Sequence, residues 1–210
     1  MGLHNLSFLQ NPIQHGKGGR IFLHNYPPNQ YKAFIKYFFE AVQNLTSIIY
    51  NDLRRFGFPG NSMGIHKALL KNKIFRRIFL VRIYNIDSKY YKICRLLYKP
   101  METFQIECSD IGEGMVAWHG FSTIIFARSI GKNFSTFQNV TVGRSGGSHS
   151  EEDNIPIIGD NVQICTGAVV VGNIKIGNNV IIGGNCFVNK DVPDNSIVVG
   201  NPMKIKHKRY

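Results

Sequence analysis

Residues 157–192, IIGDNVQICTGAVVVGNIKIGNNVIIGGNCFVNKDV, carry an aliphatic residue at every sixth position. Each is followed four places later by a small or apolar residue. The two sets are Ile158, Ile164, Val170, Ile176, Ile182 and Val188, and Val162, Ala168, Ile174, Val180, Cys186 and Val192. A period of six fits neither a helix of about 3.6 residues per turn nor an alternating strand. It is typical of a parallel β-helix, in which each hexad forms one side of a triangular prism.

The same spacing continues toward the N-terminus. Ile124, Ile130, Thr136 and Val142 keep the step of six, and looser matches at Ile106, Ile111 and Ala117 extend it back to about residue 106. Between Val142 and Ile158 the repeat is broken by the polar segment 143–154, which predicts a loop, and loops on such scaffolds commonly carry function. The repeats therefore predict a mainly β fold for about half of the chain.

The first half of the chain has a helical pattern instead. Residues 1–28 read as an irregular arm, and apolar spacings of three and four predict helices over about 29–56, 62–70 and 72–98, the last interrupted near 85–88. We predict three parts. They are a basic α-helical domain over 1–103, a β-helix domain over 104–203 and a basic C-terminal tail over 204–210.

Positive charge is concentrated in the helical half. The 210-residue chain has a net charge of +12, and residues 1–100 hold sixteen of its 25 Lys and Arg with only three acidic residues. Such a segment could contact nucleic acid, an anionic membrane surface or a polyanionic substrate. We expect no nucleic acid partner, since no binding motif accompanies the charge. The stretch 72–98 could lie on a membrane as a basic amphipathic helix, or pack its aromatic residues on the other helices.

Cysteine usage and the N-terminus indicate the compartment. The four cysteines have no CxxC spacing, no signal-peptide pattern opens the chain, and no apolar run approaches the roughly 20 residues of a membrane span. We expect a reduced, cytoplasmic protein. The inner face of the membrane stays open as its place of action.

Few side chains in the repeat region could perform catalysis. His119 and His149 are its only histidines, because His207 belongs to the basic tail. A zinc site of the three-histidine type therefore lacks ligands, and neither a GxSxG elbow nor a P-loop occurs. We expect no metal.

A resemblance to a known family rests on short motifs along residues 104–206. In order they are Ile111-Gly112-Glu113-Gly114, Trp118-His119-Gly120, QNVTVG at 138–143, PIIGDNV at 156–162, Gly167-Ala168, Gly172-Asn173-Ile174, NKDVP at 189–193 and VVGNP at 198–202. With them the chain resembles serine acetyltransferases and their relatives among the hexapeptide-repeat acyltransferases. The resemblance implies a left-handed β-helix, acetyl-CoA as co-substrate, and a homotrimer or higher assembly with active sites between subunits.

The resemblance also assigns a catalytic residue. A histidine at the position of His119 acts in this family as the general base that activates an acceptor hydroxyl. Imidazole titrates near neutral pH, and a positioned base typically contributes roughly 10²–10⁴ in rate. Glu107 lies in the segment that supplies the carboxylate orienting this histidine, so we name it as the second catalytic candidate.

Acetyl-CoA would lie against the later coils by the same resemblance. Small residues that could admit its pantetheine arm are Gly143, Gly167, Ala168, Gly184 and Asn185, and its phosphates could meet Lys190 or Lys204. Each has a purely structural alternative. The small residues also suit tight corners, and the lysines could simply be solvated.

Two departures from the family pattern concern the acceptor. Trp118 stands where serine acetyltransferases carry an Asp, and Ile155 stands where they carry a second histidine. A site for a small zwitterion depends on such polar partners, whereas an indole suits the apolar face of a sugar ring. His149 is the candidate replacement for the second histidine. We therefore expect a sugar or surface polysaccharide as acceptor, with L-serine as the alternative. A non-catalytic hexapeptide scaffold is the alternative of a different class.

Overall fold

The computed structural model describes residues 45–85, 88–146 and 154–208. For residues 88–90 and 93 it describes the backbone alone. The predicted arm over 1–28 and the first part of the first predicted helix lie outside the described residues, as does His149. Residues Asn44–Tyr210 form one compact unit.

The described part of the helical region contains four helices. They are α1 over 45–55, α2 (Ser62–Lys71), α3 (Lys73–Tyr84) and α4 (Ser88–Leu97). Asn61 and Asn72 cap α2 and α3, because each side-chain oxygen accepts hydrogen bonds from backbone N–H groups of the first turn. The break predicted near 85–88 is confirmed and separates α3 from α4. None of the described helices is long and apolar enough to cross a bilayer.

The helices α1 to α3 enclose a small core of their own. Its buried members are Ile49, Leu53, Ala68, Leu69 and Phe75. Three arginines of α3 are also used inside the fold. Arg76 donates to the carbonyl oxygens of Leu69 and Leu70 at 2.5 and 2.7 Å, Arg77 lies 3.4 Å from Glu102, and Arg82 is buried. For α3 this favours packing on the other helices over a membrane-facing surface.

Short strands follow the helices. In chain order they are β1 (Phe104–Glu107), β2 (Asp110–Ile111), β3 (Val116–Ala117), β4 (Thr123–Phe126), β5 (Ser129–Ile130), β6 (Ser135–Thr136), β7 (Thr141–Gly143), β8 (Ile157–Ile158), β9 (Gln163–Ile164), β10 (Val169–Val171), β11 (Lys175–Ile176), β12 (Ile181–Ile182), β13 (Phe187–Val188), β14 (Ser196–Val199) and β15 (Lys204–His207).

These strands form the three faces of a prism of five turns. Face 1 has the order β1-β4-β7-β10-β13, face 2 the order β2-β5-β8-β11, and face 3 the order β3-β6-β9-β12-β14. All of these strands pair in parallel, and β15 returns antiparallel along β14. We call the corner between faces 1 and 2 the first corner, that between faces 2 and 3 the second, and that between faces 3 and 1 the third.

The interior is filled by three ladders of like residues. Face 1 contributes Ile106, Ile125, Val142, Val170 and Val188, face 2 contributes Ile111, Ile130, Ile158, Ile176 and Val192, and face 3 contributes Ala117, Thr136, Ile164, Ile182 and Val198. All are buried. The six-residue period predicted over 158–192 is confirmed, since both sets of predicted inward residues are buried.

One prediction of register is wrong. Ile124 is 47% exposed, whereas Ile125 is fully buried and takes its place in the face 1 ladder. The inward positions Ala117 and Ile125 are eight residues apart, and Ile125 and Ile130 are five apart. Counted back from Ile130, the inward position is thus reached after five residues instead of six, because the first corner between β4 and β5 is one residue short of the period, and this turns Ile124 outward.

The second corner is fastened by stacked asparagines. Asn133, Asn161, Asn179 and Asn195 all have left-handed backbone angles near φ 56°. Their side-chain amides bond from one turn to the next at 3.0–3.1 Å. Asparagine adopts this conformation more readily than most residues, which suits it to this corner.

Candidate active site at the third corner

His119 lies in the extended third corner of the first turn. Its backbone has φ 58°, and Ser122 in the same segment has φ 53°. Gly120 packs against Phe104 so closely that a Cβ would lie 3.2 Å from the ring. The Phe121 N–H donates to the His119 carbonyl oxygen. The side chain of His119 is exposed and has no hydrogen-bond partner among the described residues. The backbone is therefore constrained while the imidazole is available to a ligand.

Later turns stack directly on this corner. Asn139 N–H donates to Phe121 at 3.1 Å, Gly167 N–H to Gln138 at 3.2 Å, and Asn185 N–H to Thr166 at 2.9 Å, all to backbone oxygens. Neighbouring parallel strands are about 4.8 Å apart, so the Asn185 layer lies roughly 14 Å from the His119 layer along the prism. Three of the predicted acetyl-CoA residues, Gly167, Gly184 and Asn185, thus share the corner of His119.

The small residues of this corner are also required by the fold. Gly167 has φ 71°, and a side chain there would meet the Asn185 amide oxygen. Ala168 is fully buried, so within one chain it offers no surface to a ligand. Lys204 is exposed in β15 opposite Val199, where β14 leads into the third corner. Thr166 and Gln138 lie at the same corner and were not predicted as site residues. The side-chain oxygen of Gln138 is buried with no donor among the described residues.

The remaining predicted residues lie at the first corner. Gly143 ends β7 there, and a Cβ on it would touch nothing within 4 Å. Lys190 is exposed just after β13. Ile155 is buried beside the loop of residues 143–154. The described ends of this loop are joined by a hydrogen bond from the Asn154 side-chain amide to the Ser145 carbonyl oxygen, at 2.7 Å.

Glu107 is not brought to His119 within the chain. It ends β1 and pairs with Phe126 at the first corner, whereas Phe104, which packs under Gly120, begins the same strand. Its carboxylate is exposed and has no hydrogen-bond partner in the part of the chain that the structure describes. The strand register places Glu107 and His119 at different corners, so their separation does not result from side-chain conformation.

Trp118 stands beside His119 as expected. Its side chain is 43% exposed, and its backbone N–H donates to Thr136 at 2.8 Å. Phe121 and Ile124 are exposed close by in the sequence, at 46% and 47%. Three exposed apolar or aromatic side chains thus lie within five residues of His119 in the sequence.

A buried ion pair fixes the first turn from behind. Asp52 and Arg82 contact each other at 3.1 and 3.2 Å, and Arg82 also donates to the carbonyl oxygens of Ile111 and Gly112. The Met115 N–H donates to Asp52 at 2.8 Å. Burial raises the pKa of Asp52, and Arg82 opposes this. The only sequence signal for this pair was an isolated acid in a basic region.

A second carboxylate nearby is stabilised in its charged form. Asn51 donates to Glu113 at 2.6 Å, and Lys132 lies 3.2 Å from the same carboxylate. These partners lower the pKa of Glu113 below its ordinary value. Among the described residues no cluster of three His, Cys, Asp or Glu side chains could hold a metal ion.

The fold and this corner define a hexapeptide-repeat β-helix protein. Residues 155–190 match the family described as bacterial transferase hexapeptide (six repeats). The predicted fold class, mainly β with a left-handed parallel β-helix after a few helices, is confirmed.

Individual relatives are serine acetyltransferases. The chain is 44% identical over 98 residues to that of Staphylococcus aureus (strain N315), covering 46% of this chain and 45% of the relative. It is 34% identical over 142 residues to that of Bacillus pumilus, covering 67% and 59%. The chain thus spans about half the length of the curated relatives it matches.

Solved structures agree with these relatives. The serine acetyltransferase of Neisseria gonorrhoeae superposes with a TM-score of 0.59 at 26% identity, over 79% of this chain and 67% of that chain. The soybean apoenzyme superposes with a TM-score of 0.62 at 28% identity, over 84% and 74%. The predicted resemblance to hexapeptide-repeat acyltransferases of the serine acetyltransferase type is confirmed.

Proposed function

We propose that the protein is an acetyl-CoA-dependent O-acetyltransferase in which His119 is the general base. The observation that carries the proposal is the third corner. There an exposed imidazole on constrained backbone heads a column of stacked corners, of which the later ones contain Gly167 and Gly184. The names of the relatives support the same reaction class.

The reaction needs no nucleophile from the protein. The imidazole of His119 takes the proton of the acceptor hydroxyl as its oxygen attacks the thioester carbonyl carbon. A backbone N–H stabilises the oxyanion of the tetrahedral intermediate. The carbon–sulfur bond then breaks, the acetyl group stays on the acceptor oxygen, and the CoA sulfur leaves with the proton returned by the imidazolium.

Acetyl-CoA would run along the third corner from His119. Gly184 is exposed and Gly167 is partly exposed, so both leave the backbone open to a narrow pantetheine arm. Lys204 lies farther along the same edge and could bind a phosphate as an exposed ammonium group. The roughly 14 Å from the His119 layer to the Asn185 layer gives room for an extended arm.

The split between two corners supports a site shared by two copies of the chain. Gly143, Lys190 and Glu107 are at the first corner, so they can reach an acetyl group at His119 only from a neighbouring copy. Face 1 between the two corners carries the exposed Ile124 and Phe187 on its outside. We propose the homotrimer expected from the resemblance, with each site between two copies.

L-serine is the acceptor that the names of the relatives support, and it is the first acceptor to test. One specific observation favours a saccharide as the second candidate. The side chain next to the base is the exposed indole of Trp118, which cannot pair with the charges of a zwitterion.

Action in the cytoplasm, with contact to an anionic membrane, is a further part of the proposal. Its support is limited to α4, which exposes Lys92, Arg95, Leu96 and Leu97. Basic and apolar side chains together are what an interfacial helix requires. Binding to vesicles with and without anionic lipid would test it, and equal binding to both would contradict it.

The deciding experiment is thiol release from acetyl-CoA by the purified full chain. L-serine and a panel of mono- and oligosaccharides serve as parallel acceptors. His119→Ala should lower kcat by at least about 10²-fold. His66→Ala, which removes an exposed histidine of α2, is the matched control and should leave kcat unchanged.

Each outcome is informative. Undiminished turnover by His119→Ala would refute the catalytic assignment. Absence of thiol release by the unmodified protein with every acceptor would support the non-catalytic scaffold instead.

A further inference from the structure

A second concave site lies at the first corner, where the C-terminal end of α3 and the helix α4 meet β1 and β4. Its volume is about 710 Å³. Small-molecule sites commonly measure roughly 300–1,000 Å³. Of this lining, the reaction proposed above uses only Glu107, which can reach the His119 of a neighbouring copy, so the other lining residues require a separate explanation.

Polar groups in this lining lack partners. The Arg77 Nε is buried with no acceptor among the described residues, and its Nη2 has only distant contacts, at 3.4 Å, with Met101 and Glu102. Glu107 contributes an unpaired carboxylate. Asn85 donates to the Ser109 carbonyl oxygen at 2.9 Å, while its own amide oxygen accepts nothing from the described residues. The cavity thus offers one donor and two acceptors for a ligand.

Apolar and aromatic side chains form the rest of the wall. Tyr84 and Tyr91 contact each other edge to face with centroids 5.2 Å apart. Phe126 on β4 and Ile106 on β1 also line the cavity. Tyr84 is 58% exposed, so most of one ring is available to a ligand.

This combination selects one class of ligand. A purely apolar molecule would leave Arg77 and Glu107 unpaired in the cavity, at a cost for each buried polar group. A simple anion would match the positive charge of Arg77 and Arg128, but it would leave the Glu107 carboxylate and the Tyr84 ring without partners. A sugar ring presents hydroxyl groups that both donate and accept, and it also presents an apolar C–H face to an aromatic ring.

We propose that this cavity binds a saccharide. The assignment deepens the proposed function and rests on it in one respect. If acetyl transfer occurs, the cavity holds part of a saccharide acceptor, whose modified hydroxyl reaches a His119. Saccharide binding itself requires no acetyl-CoA, so it can be measured separately from catalysis.

The test is binding of saccharides to the full chain in the absence of acetyl-CoA. Saturation-transfer NMR would screen glucose, galactose, N-acetylglucosamine, glucuronic acid and their di- to tetrasaccharides, and calorimetry would give Kd for those that bind. Tyr84→Ala and Glu107→Gln should each weaken binding about tenfold or more. Leu97→Ala, an exposed residue of α4 outside the lining, is the control and should leave Kd unchanged.

Two results would overturn the proposal. One is the absence of binding by every saccharide in the panel. The other is binding that Tyr84→Ala and Glu107→Gln leave unchanged while both variants stay folded. Binding that both substitutions weaken, in a protein that releases no thiol from acetyl-CoA, would support the saccharide site and refute the acetyltransferase proposal.

Discussion

Replacing Asp52 by alanine tests how the helical region holds the first turn of the β-helix. Asp52 and Arg82 are 1% and 6% exposed. The substitution leaves the guanidinium buried without its anion and removes the acceptor of the Met115 N–H. Breaking a buried pair from one side costs about 3–5 kcal/mol, and an orphaned buried N–H costs about 1–3 kcal/mol. Because these costs overlap, we expect a loss of about 4–6 kcal/mol in the free energy of unfolding.

The assay is urea unfolding followed by circular dichroism at one fixed protein concentration, with the free energy extrapolated linearly to water. Asp110→Ala removes an exposed carboxylate from β2 and serves as the control. The double variant Asp52→Ala/Arg82→Met should regain part of the loss, since it removes the unpaired buried charge. A loss below about 1 kcal/mol for Asp52→Ala, or a double variant no more stable than the single one, would refute this account.

Three further predictions concern register and ionisation. Ile125→Ala should cost about 2–5 kcal/mol of unfolding free energy and Ile124→Ala less than half as much, and equal losses would contradict the register. Since its partners lower the pKa of Glu113, the carboxylate contributes stability above the ordinary pKa of 4.5 and loses it as pH falls through the lower folded value. Glu113→Gln should therefore lower Tm more at pH 7 than at pH 3, and an equal change at both would count against this. Burial raises the pKa of Cys108 to about 11, so at pH 8 iodoacetamide should alkylate it only after unfolding, as peptide mass spectrometry would detect.

The candidate site could be predicted in part. His119 and Trp118 were identified by motif, and both are exposed at one corner as expected. The grouping of Gly167, Gly184 and Asn185 with His119 was implied by the resemblance, and the structure places all four at the same corner in different turns. Their roles in binding and catalysis stay predictions until activity is measured.

Other features depended on loop lengths that the period does not fix. The corner between β4 and β5 is one residue short of the period, and this turned Ile124 outward and Ile125 inward. Strand register also decided that Glu107 lies at the first corner while His119 lies at the third. The period of the repeat does not reveal such shifts in strand register, because each shift depends on the number of residues in a single corner.

The sequence by itself determined the β-helix, because every turn of a solenoid contacts only the next one and therefore repeats the same local pattern of inward aliphatic residues. The tertiary structure alone decided the Asp52–Arg82 pair and the cavity between α3, α4 and β1. Both join segments that are distant in the chain, here 30 residues apart for the ion pair. No local periodicity encodes such contacts, since they arise from how the helices pack against the first turns.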